Sequence, residues 1–311
     1  MSYLKPLLKQ LFVKVFHLGQ RLGVDFLPRH FYSEIPSIPK LRATAHWRLP
    51  YSMAGVQGME SESQLAFIRS VVTADVRQYF ALHDVRAEAA RENGELGYGP
   101  VESQLLFAMV ATRRPQRIVQ IGCGVSTALC IAAGKFAGYC PEITCVEPHP
   151  TDFLKLAAGR GDIKLIDQPV ENIGYDFFSH LRKKDLFFVD STHTLGPAGE
   201  VTRIIVEMLP RLPTGVFVHF HDILFPYDYA PSILSESMFF WHESPLLHAF
   251  LCMNANFCVC ASMSWLHHCR QVELAALFPQ YRPMNMTQGL GAKGDFPSSI
   301  YLQVIGAPAT G

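Results

Sequence analysis

The fold of this chain is indicated most clearly by the stretch Ile118-Val119-Gln120-Ile121-Gly122-Cys123-Gly124-Val125-Ser126. The apolar, β-branched segment 117–121 predicts a buried strand, and the Ala-rich segment 126–136 predicts a helix. The two glycines between them let the backbone bend sharply and approach a ligand closely. The helix N-terminus offers N–H groups to an anionic group. A dinucleotide site fits less well, because the position of its third glycine is Thr127.

Further apolar strands and helices alternate along the chain after this turn. The predicted strands are residues 143–146, 163–166, 185–189, 215–220, 256–261 and 299–304. The predicted helices are residues 100–112, 153–158, 172–181, 197–209 and 233–252, and the segment between the last two strands is predicted to be irregular. Near-continuous apolar strands that alternate with helices predict an α/β fold with a mostly parallel sheet covered on both faces.

The N-terminal part has a different pattern. Residues 1–23 contain Lys5, Lys9, Lys14 and Arg21 without an acid, and leucines recur at helical spacing. We interpret this segment as a basic amphipathic helix that packs on its own domain or on a second subunit of a homodimer. The alternative is contact with an anionic membrane surface. Residues 24–60 are rich in proline and aromatic residues and predict an extended arm, followed by a helix at 63–80. The expected division is a helical and extended arm at 1–95 and the α/β domain at 96–311.

Composition narrows the classes of partner. Lys plus Arg and Asp plus Glu each number 27, so a nucleic-acid partner, which requires a basic excess, is not expected. The lysines interrupt any apolar run of membrane-spanning length, and no secretory leader is recognisable. The eight cysteines form no CxxC pair and are typical of a reducing compartment. We therefore expect a cytoplasmic protein, peripheral to a membrane only if its basic helix binds one, that acts on a small molecule.

Polar residues follow the predicted strands at their carboxyl ends, where open α/β sheets bind ligands. Glu147 ends the second strand and is placed to accept hydrogen bonds from the hydroxyls of a ribose. Asp190 and His193 follow the fourth strand. The fifth strand supplies three further groups, which are His219, His221 and Asp222. Two carboxylates and up to three imidazoles are thus expected to lie together at the carboxyl edge of the sheet, which forms a histidine-rich mouth of the ligand site.

These motifs resemble class I S-adenosylmethionine-dependent methyltransferases, over about two-thirds of the chain from Gly97 onward. The resemblance is to the subgroup with a histidine–aspartate signature after the fifth strand, similar to methyltransferase family 24. It rests on Gly97-Tyr98-Gly99, the Gly122 turn, Val146-Glu147, Val189-Asp190 with His193, His219-Phe220-His221-Asp222-Ile223, and His30-Phe31-Tyr32-Ser33 followed by Ile35-Pro36. It implies a Rossmann-like seven-stranded sheet of order 3-2-1-4-5-7-6 whose seventh strand is antiparallel, with S-adenosylmethionine as the cofactor.

The resemblance also implies a set of cofactor-binding residues. Gln120 departs from the pattern, because an acid that helps hold the amino end of the cofactor commonly stands there. Gln168 is assigned to the adenine by its position after the third strand. The full set is Tyr98, Gln120, Gly122, Gly124, Ser126, Glu147, Gln168 and Asp190.

The sequence allows three interpretations of the histidine-rich mouth. In the first, a divalent metal (Mg, Mn, Fe or Zn) is held by Asp190, His221 and Asp222, with His219 as a further candidate ligand, and lowers the pKa of a substrate hydroxyl. In the second, His193 or His221 is a general base whose tautomer is fixed by an aspartate such as Asp190. In the third, the imidazoles only satisfy backbone groups.

The function expected from these observations is methyl transfer to a small molecule or glycan precursor, with a hydroxyl oxygen as the favoured acceptor. A metal-dependent oxidoreductase or hydrolase on the same fold is one alternative. A non-catalytic cofactor-binding or scaffold subunit is another.

Overall fold

The computed structural model describes residues 4–29, 31–44, 49–229, 231–284 and 295–307. It divides the chain into two compact units, Met1–Ala43 and Thr44–Gly311. The predicted division near residue 95 therefore falls inside the second unit. His30, from the family resemblance, lies outside the described residues.

The described strands form one seven-stranded sheet of order β3-β2-β1-β4-β5-β7-β6, which confirms the expected order. Their pairing is parallel except on both sides of β7. The strands are β1 (Arg117–Ile121), β2 (Glu142–Val146), β3 (Lys164–Ile166), β4 (Leu186–Val189), β5 (Phe217–Phe220), β6 (Phe257–Ser262) and β7 (Ile300–Val304).

The described helices lie before and between these strands along the chain. The first unit contains α1 (Leu4–Arg21) and α2 (Ile38–Ala43). The second unit contains α3 (Ser61–Val71), α4 (Ala74–Leu82), α5 (Val85–Asn93), α6 (Pro100–Arg113), α7 (Val125–Phe136), α8 (Asp152–Arg160), α9 (Glu200–Arg203), α10 (Pro231–Glu236), α11 (Glu243–Leu251), α12 (Met263–Cys269) and α13 (Gln271–Leu277).

Alternate residues of each central strand enter two separate apolar cores, because successive side chains of a strand point to opposite faces. Ile118 and Leu186 join a core with residues of α3, α6, α7 and α8. Val119 and Phe187 join a second core with residues that follow β4 and residues of α11. Both faces of the sheet are therefore covered, which leaves its carboxyl edge as the place where polar side chains collect.

Several predicted helices differ in the structure. The predicted helix at 63–80 is two helices, because Thr73 caps the second one by accepting from the backbone N–H of Val76. The predicted helix at 172–181 is two 3₁₀ segments, Val170–Asn172 and Tyr175–His180. The predicted helix at 197–209 starts as α9 and continues as a π-turn and a 3₁₀ turn through 204–211.

The other differences lie near the end of the chain and before α6. Helix α5 was not predicted; Asp84 caps its start and Gly94 ends it in the left-handed conformation. The predicted helix at 233–252 is interrupted between α10 and α11. The segment between β6 and β7, expected to be irregular, contains α12 and α13. No described helix is long and apolar enough to cross a membrane.

Candidate functional site

A cavity of about 210 Å³ lies at the carboxyl edge of the sheet, beside the turn between β1 and α7. Its walls include Tyr98, Glu147 and Asp190 together with the backbone of the glycine turn. The first N–H groups of α7 have no carbonyl in a preceding turn and are directed toward this edge. The predicted cofactor-binding residues that line the cavity are Tyr98, Gly122, Gly124, Ser126, Glu147 and Asp190.

Gly122 has a structural reason to be glycine. Its φ is +78°, and a Cβ placed on it would lie 1.8 Å from the carbonyl oxygen of Asp190. The close approach brings the turn after β1 against the end of β4. The cavity and the residues that follow β4 are thereby adjacent.

Glu147 holds the glycine turn from the side of β2. Its carboxylate accepts hydrogen bonds from the backbone N–H of Cys123 at 3.2 Å and from that of His149 at 2.9 Å. Both oxygens are thus fixed on the wall of the cavity, as a carboxylate that receives ribose hydroxyls requires. Together with the helix N-terminus, this arrangement fits the ribose and the charged end of an S-adenosylmethionine molecule.

Two predicted cofactor-binding residues do not line this cavity. Gln120 is fully buried on the α7 face of β1, where its side-chain oxygen accepts a hydrogen bond from the Thr127 hydroxyl at 2.8 Å. Strand alternation directs it into the core rather than toward the mouth. Gln168 is exposed after β3. Its assignment to the adenine stays a prediction.

Asp190 connects the cavity to a cluster of charged side chains. Its Oδ1 lies 3.5 Å from His193 Nε2 and 3.6 Å from His221 Nδ1. Asp222 approaches the same two rings, with its carboxylate 3.6 Å from His193 Nε2 and 3.4 Å from His221 Nδ1. Two imidazoles and two carboxylates thus alternate in space, as the sequence predicted for this edge.

His193 is fixed in this cluster by a residue that the sequence analysis missed. Its Nδ1 is 2.6 Å from the carboxylate of Glu243, which is fully buried at the start of α11. The backbone N–H groups of His242 and Glu243 also donate to the His193 carbonyl. Burial acts to lower the pKa of His193, but contacts with Asp190 and Glu243 outweigh it and raise the pKa to about 10.

His221 and Asp222 form the second half of the cluster. Burial disfavours the charged His221 ring, but Asp222 and Asp190 outweigh this effect and raise its pKa to about 10. Asp222 has a φ of +53° and accepts a hydrogen bond from the Ser298 hydroxyl at 2.8 Å. Its burial acts to raise its carboxyl pKa, but His221 outweighs burial and holds that pKa well below the usual range.

His219 is placed differently from the other histidines. It is fully buried, its ring stacks on Phe188 at 4.5 Å, and its Nε2 lies 3.0 Å from the Tyr98 hydroxyl. Burial lowers its pKa well below the usual value. His219 is therefore a neutral core histidine that supports Tyr98, and its predicted role as a metal ligand is not supported by this placement.

The charged cluster does not form a prearranged metal site. Within the ranges that the structure describes, no three His, Cys, Asp or Glu side chains are arranged to hold an ion. The imidazole nitrogens of His193 and His221 instead face the carboxylates of Asp190 and Asp222 at 3.4–3.6 Å. The donor arrangement fits an ion-pair network rather than a coordination sphere.

Two buried carboxylates at the mouth escaped the sequence analysis. Glu102, in the first turn of α6, is buried and accepts from the Ser298 backbone N–H at 2.8 Å. Burial raises its pKa. The signal for Glu102 was its place just after the matched Gly97-Tyr98-Gly99 motif. No sequence signal pointed to Glu243, because it reaches the cluster from 50 residues beyond His193.

Comparison with known proteins finds a family match in the central part of the chain. Residues 119–223 match the family model described as "Methyltransferase domain". This segment runs from β1 through the Gly122 turn, Glu147 and Asp190 to the residues after β5. An uncharacterised protein of Archaeoglobus fulgidus is 29% identical over 179 residues, which are 53% of this chain and 78% of that protein.

Solved structures similar to this chain include two with distant sequences. One is the methyltransferase PaMTH1 of Podospora anserina bound to SAH, with 16% identity, a TM-score of 0.37, and coverage of 76% of this chain and 92% of that one. The other is a putative O-methyltransferase of Klebsiella pneumoniae, with 12% identity, a TM-score of 0.40, and coverage of 72% and 91%. The match to a methyltransferase domain covers residues 119–223, and the strand order of the sheet is the one that the resemblance to class I S-adenosylmethionine-dependent methyltransferases implies.

Proposed function

We propose that this protein transfers the methyl group of S-adenosylmethionine to a hydroxyl oxygen of a small-molecule acceptor, with His193 as the group that takes the hydroxyl proton. The observation that carries the proposal is the double position of Asp190. It lines the cavity beside the glycine turn, and its carboxylate also contacts the rings of His193 and His221. A methyl donor in the cavity and an acceptor at the imidazoles would meet at this residue.

The residues around the cavity are suited to hold the methyl donor. Glu147 offers its carboxylate to the ribose hydroxyls, and the turn at Gly122 and Gly124 lets the ligand approach the backbone. Ser126 and the other first residues of α7 face the amino acid portion. S-adenosylmethionine supplies a sulfonium methyl that an oxygen can attack in line, so the protein mainly has to orient the acceptor and remove its proton.

His193 is arranged to accept that proton at a defined atom. Because Glu243 accepts the Nδ1 hydrogen at 2.6 Å, the neutral ring presents its lone pair at Nε2. This atom faces Asp190 and Asp222 at 3.5 and 3.6 Å, distances longer than a hydrogen bond, so an acceptor hydroxyl can compete for it. After transfer, the imidazolium is stabilised by the three carboxylates around it.

The experiment that tests this proposal is calorimetric titration with S-adenosylmethionine and S-adenosylhomocysteine, after metal analysis of the same sample. Micromolar binding of both is expected. Methyl-tritiated S-adenosylmethionine is then incubated with panels of small hydroxyl and amine compounds, and label should enter the hydroxyl panel. The proposal is wrong if neither ligand binds, or if only amines are labelled.

The metal analysis distinguishes proton removal by His193 from the metal-assisted mechanism that the sequence also suggested. Stripping with a chelator is expected to leave ligand binding and label transfer unchanged if the ion-pair cluster acts as described. Loss of transfer on stripping, restored by a divalent ion, would instead assign Asp190, His221 and Asp222 to a metal.

A further inference from the structure

Helix α1, in the first compact unit, has an exposed apolar face. In a helix, positions three and four residues apart share one side. Six large apolar side chains at this spacing are between 37% and 71% exposed: Leu8, Leu11, Phe12, Val15, Leu18 and Leu22. Beyond the helix, Val24, Phe26 and Leu27 are also about half exposed. Such a continuous apolar stripe is unusual on a protein surface and indicates a binding face.

Basic side chains flank this apolar face of α1. Lys9 lies on one flank and Lys14 and Arg21 on the other, and residues 4–21 contain no Asp or Glu. The first unit, residues 1–43, contains seven Lys or Arg against two Asp or Glu, whereas the whole chain is balanced. The basic excess is therefore concentrated in the unit that carries the apolar face.

This combination selects one kind of partner. We propose that α1 lies in the plane of an anionic lipid surface, with the leucine side at the acyl boundary and the lysines and arginine at the headgroups. The helix does not meet the length and apolarity of a membrane-spanning segment, which agrees with an in-plane position. Pairing of α1 with a second copy is disfavoured, because two acid-free basic helices would repel each other.

The test is sedimentation of the full-length protein with vesicles. Phosphatidylcholine vesicles are compared with vesicles that also contain phosphatidylserine, at low and at high salt. Binding is expected to be at least about ten-fold stronger to the anionic vesicles and to weaken in high salt, since roughly three basic groups contribute. Equal binding to both vesicle types, or no binding, overturns the proposal.

Matched variants locate the binding face. Changing Leu11 and Leu18 together to Gln is expected to weaken vesicle binding by about 100-fold, because two half-exposed leucines lose their burial in lipid. Changing Lys9 and Lys14 to Gln should weaken it by about ten-fold. As a control, Leu82→Gln and Leu156→Gln alter leucines of the second unit that are 76% and 63% exposed, and binding should not change.

Two further measurements separate the alternatives. Thermal unfolding of each variant shows whether its second unit remains folded, independently of any methyl transfer. Analytical ultracentrifugation without vesicles shows whether α1 mediates self-association. A dimer that the Leu11 and Leu18 changes abolish would overturn the lipid proposal in favour of an interface between copies.

Discussion

At the scale of single residues, Glu147 is the group whose removal tests the cofactor cavity. Glu147→Ala removes the acceptor of the Cys123 N–H and the proposed acceptor of the ribose, so S-adenosylhomocysteine should bind about 10- to 100-fold more weakly in calorimetry. The matched control is Glu142→Ala at the other end of β2, where the exposed carboxylate only pairs with the half-buried Arg117 at 3.5 Å. Equal losses of affinity in both variants would contradict the assignment of Glu147 to the ribose.

Glu243 tests the role of His193. In Glu243→Gln the ring loses a buried carboxylate that raises its pKa, so the pH–rate profile should move to lower pH and the maximal kcat should fall by roughly 100-fold. Binding of S-adenosylhomocysteine should stay unchanged. The exposed Glu236→Gln serves as the control. An unshifted profile would show that Glu243 is only structural.

The pH dependence of the unaltered enzyme follows from the same pKa. Because the pKa of His193 is raised to about 10, only its small neutral fraction can accept a proton near neutrality. The rate of methyl transfer should therefore rise with pH from 7 toward about 10, in initial-rate measurements at saturating ligand. A rate that is flat over this interval would exclude proton acceptance by His193.

At the scale of elements, the turn between β1 and α7 depends on Gly122. Gly122→Ala places a methyl group against the Asp190 carbonyl in a left-handed backbone, which should cost roughly 2–4 kcal/mol and abolish ligand binding. Gly138→Ala is the control, because its φ of +67° is similar but no atom lies within 4 Å of the added Cβ. It should cost only about 1 kcal/mol in urea unfolding. Similar losses of unfolding free energy in the two variants would mean that the left-handed backbone, and not the close approach to Asp190, requires glycine at this position.

The break between α10 and α11 shows why element boundaries escaped the sequence analysis. Helical periodicity runs through 233–252. The backbone N–H groups of His242 and Glu243, however, donate to the His193 carbonyl instead of to carbonyls of a preceding helical turn, so a new helix begins here. Trp241 packs against the His193 ring at 4.7 Å. A partner distant in sequence thus outweighs local propensity.

At the scale of the whole molecule, the pH of maximal stability is determined by buried histidines whose pKa values are shifted in opposite directions. Burial lowers the pKa of His219 and brings that of His267 to about 4, so stability falls as pH drops below about 6.5. The pKa of both His193 and His221 is raised to about 10, so their contribution is lost as pH rises from 6.5 to about 10. Urea unfolding should therefore show a maximum near pH 6.5.

A variant of His267 isolates the acidic side of this profile. The ring accepts from the Tyr281 hydroxyl at 2.6 Å and donates to the Met284 carbonyl at 3.1 Å, and Gln can replace both bonds without titrating. His267→Gln should remove up to about 3 kcal/mol of the stability loss between pH 6.5 and 4. The exposed His180→Gln should leave the profile unchanged. If His267→Gln also leaves the profile unchanged, protonation of His267 does not cause the loss of stability at acidic pH.

Sequence patterns were sufficient to predict the α/β class, the glycine turn and a common edge of the sheet for Glu147, Asp190, His193, His221 and Asp222. These follow from strand and helix periodicity and from the rule that parallel strands end on the same side. Three features required the three-dimensional arrangement: Glu243 and Glu102 complete the cluster, His219 and Gln120 point into the core, and the imidazoles face carboxylates. Side-chain direction and burial depend on contacts between segments far apart in the chain, which local patterns do not encode.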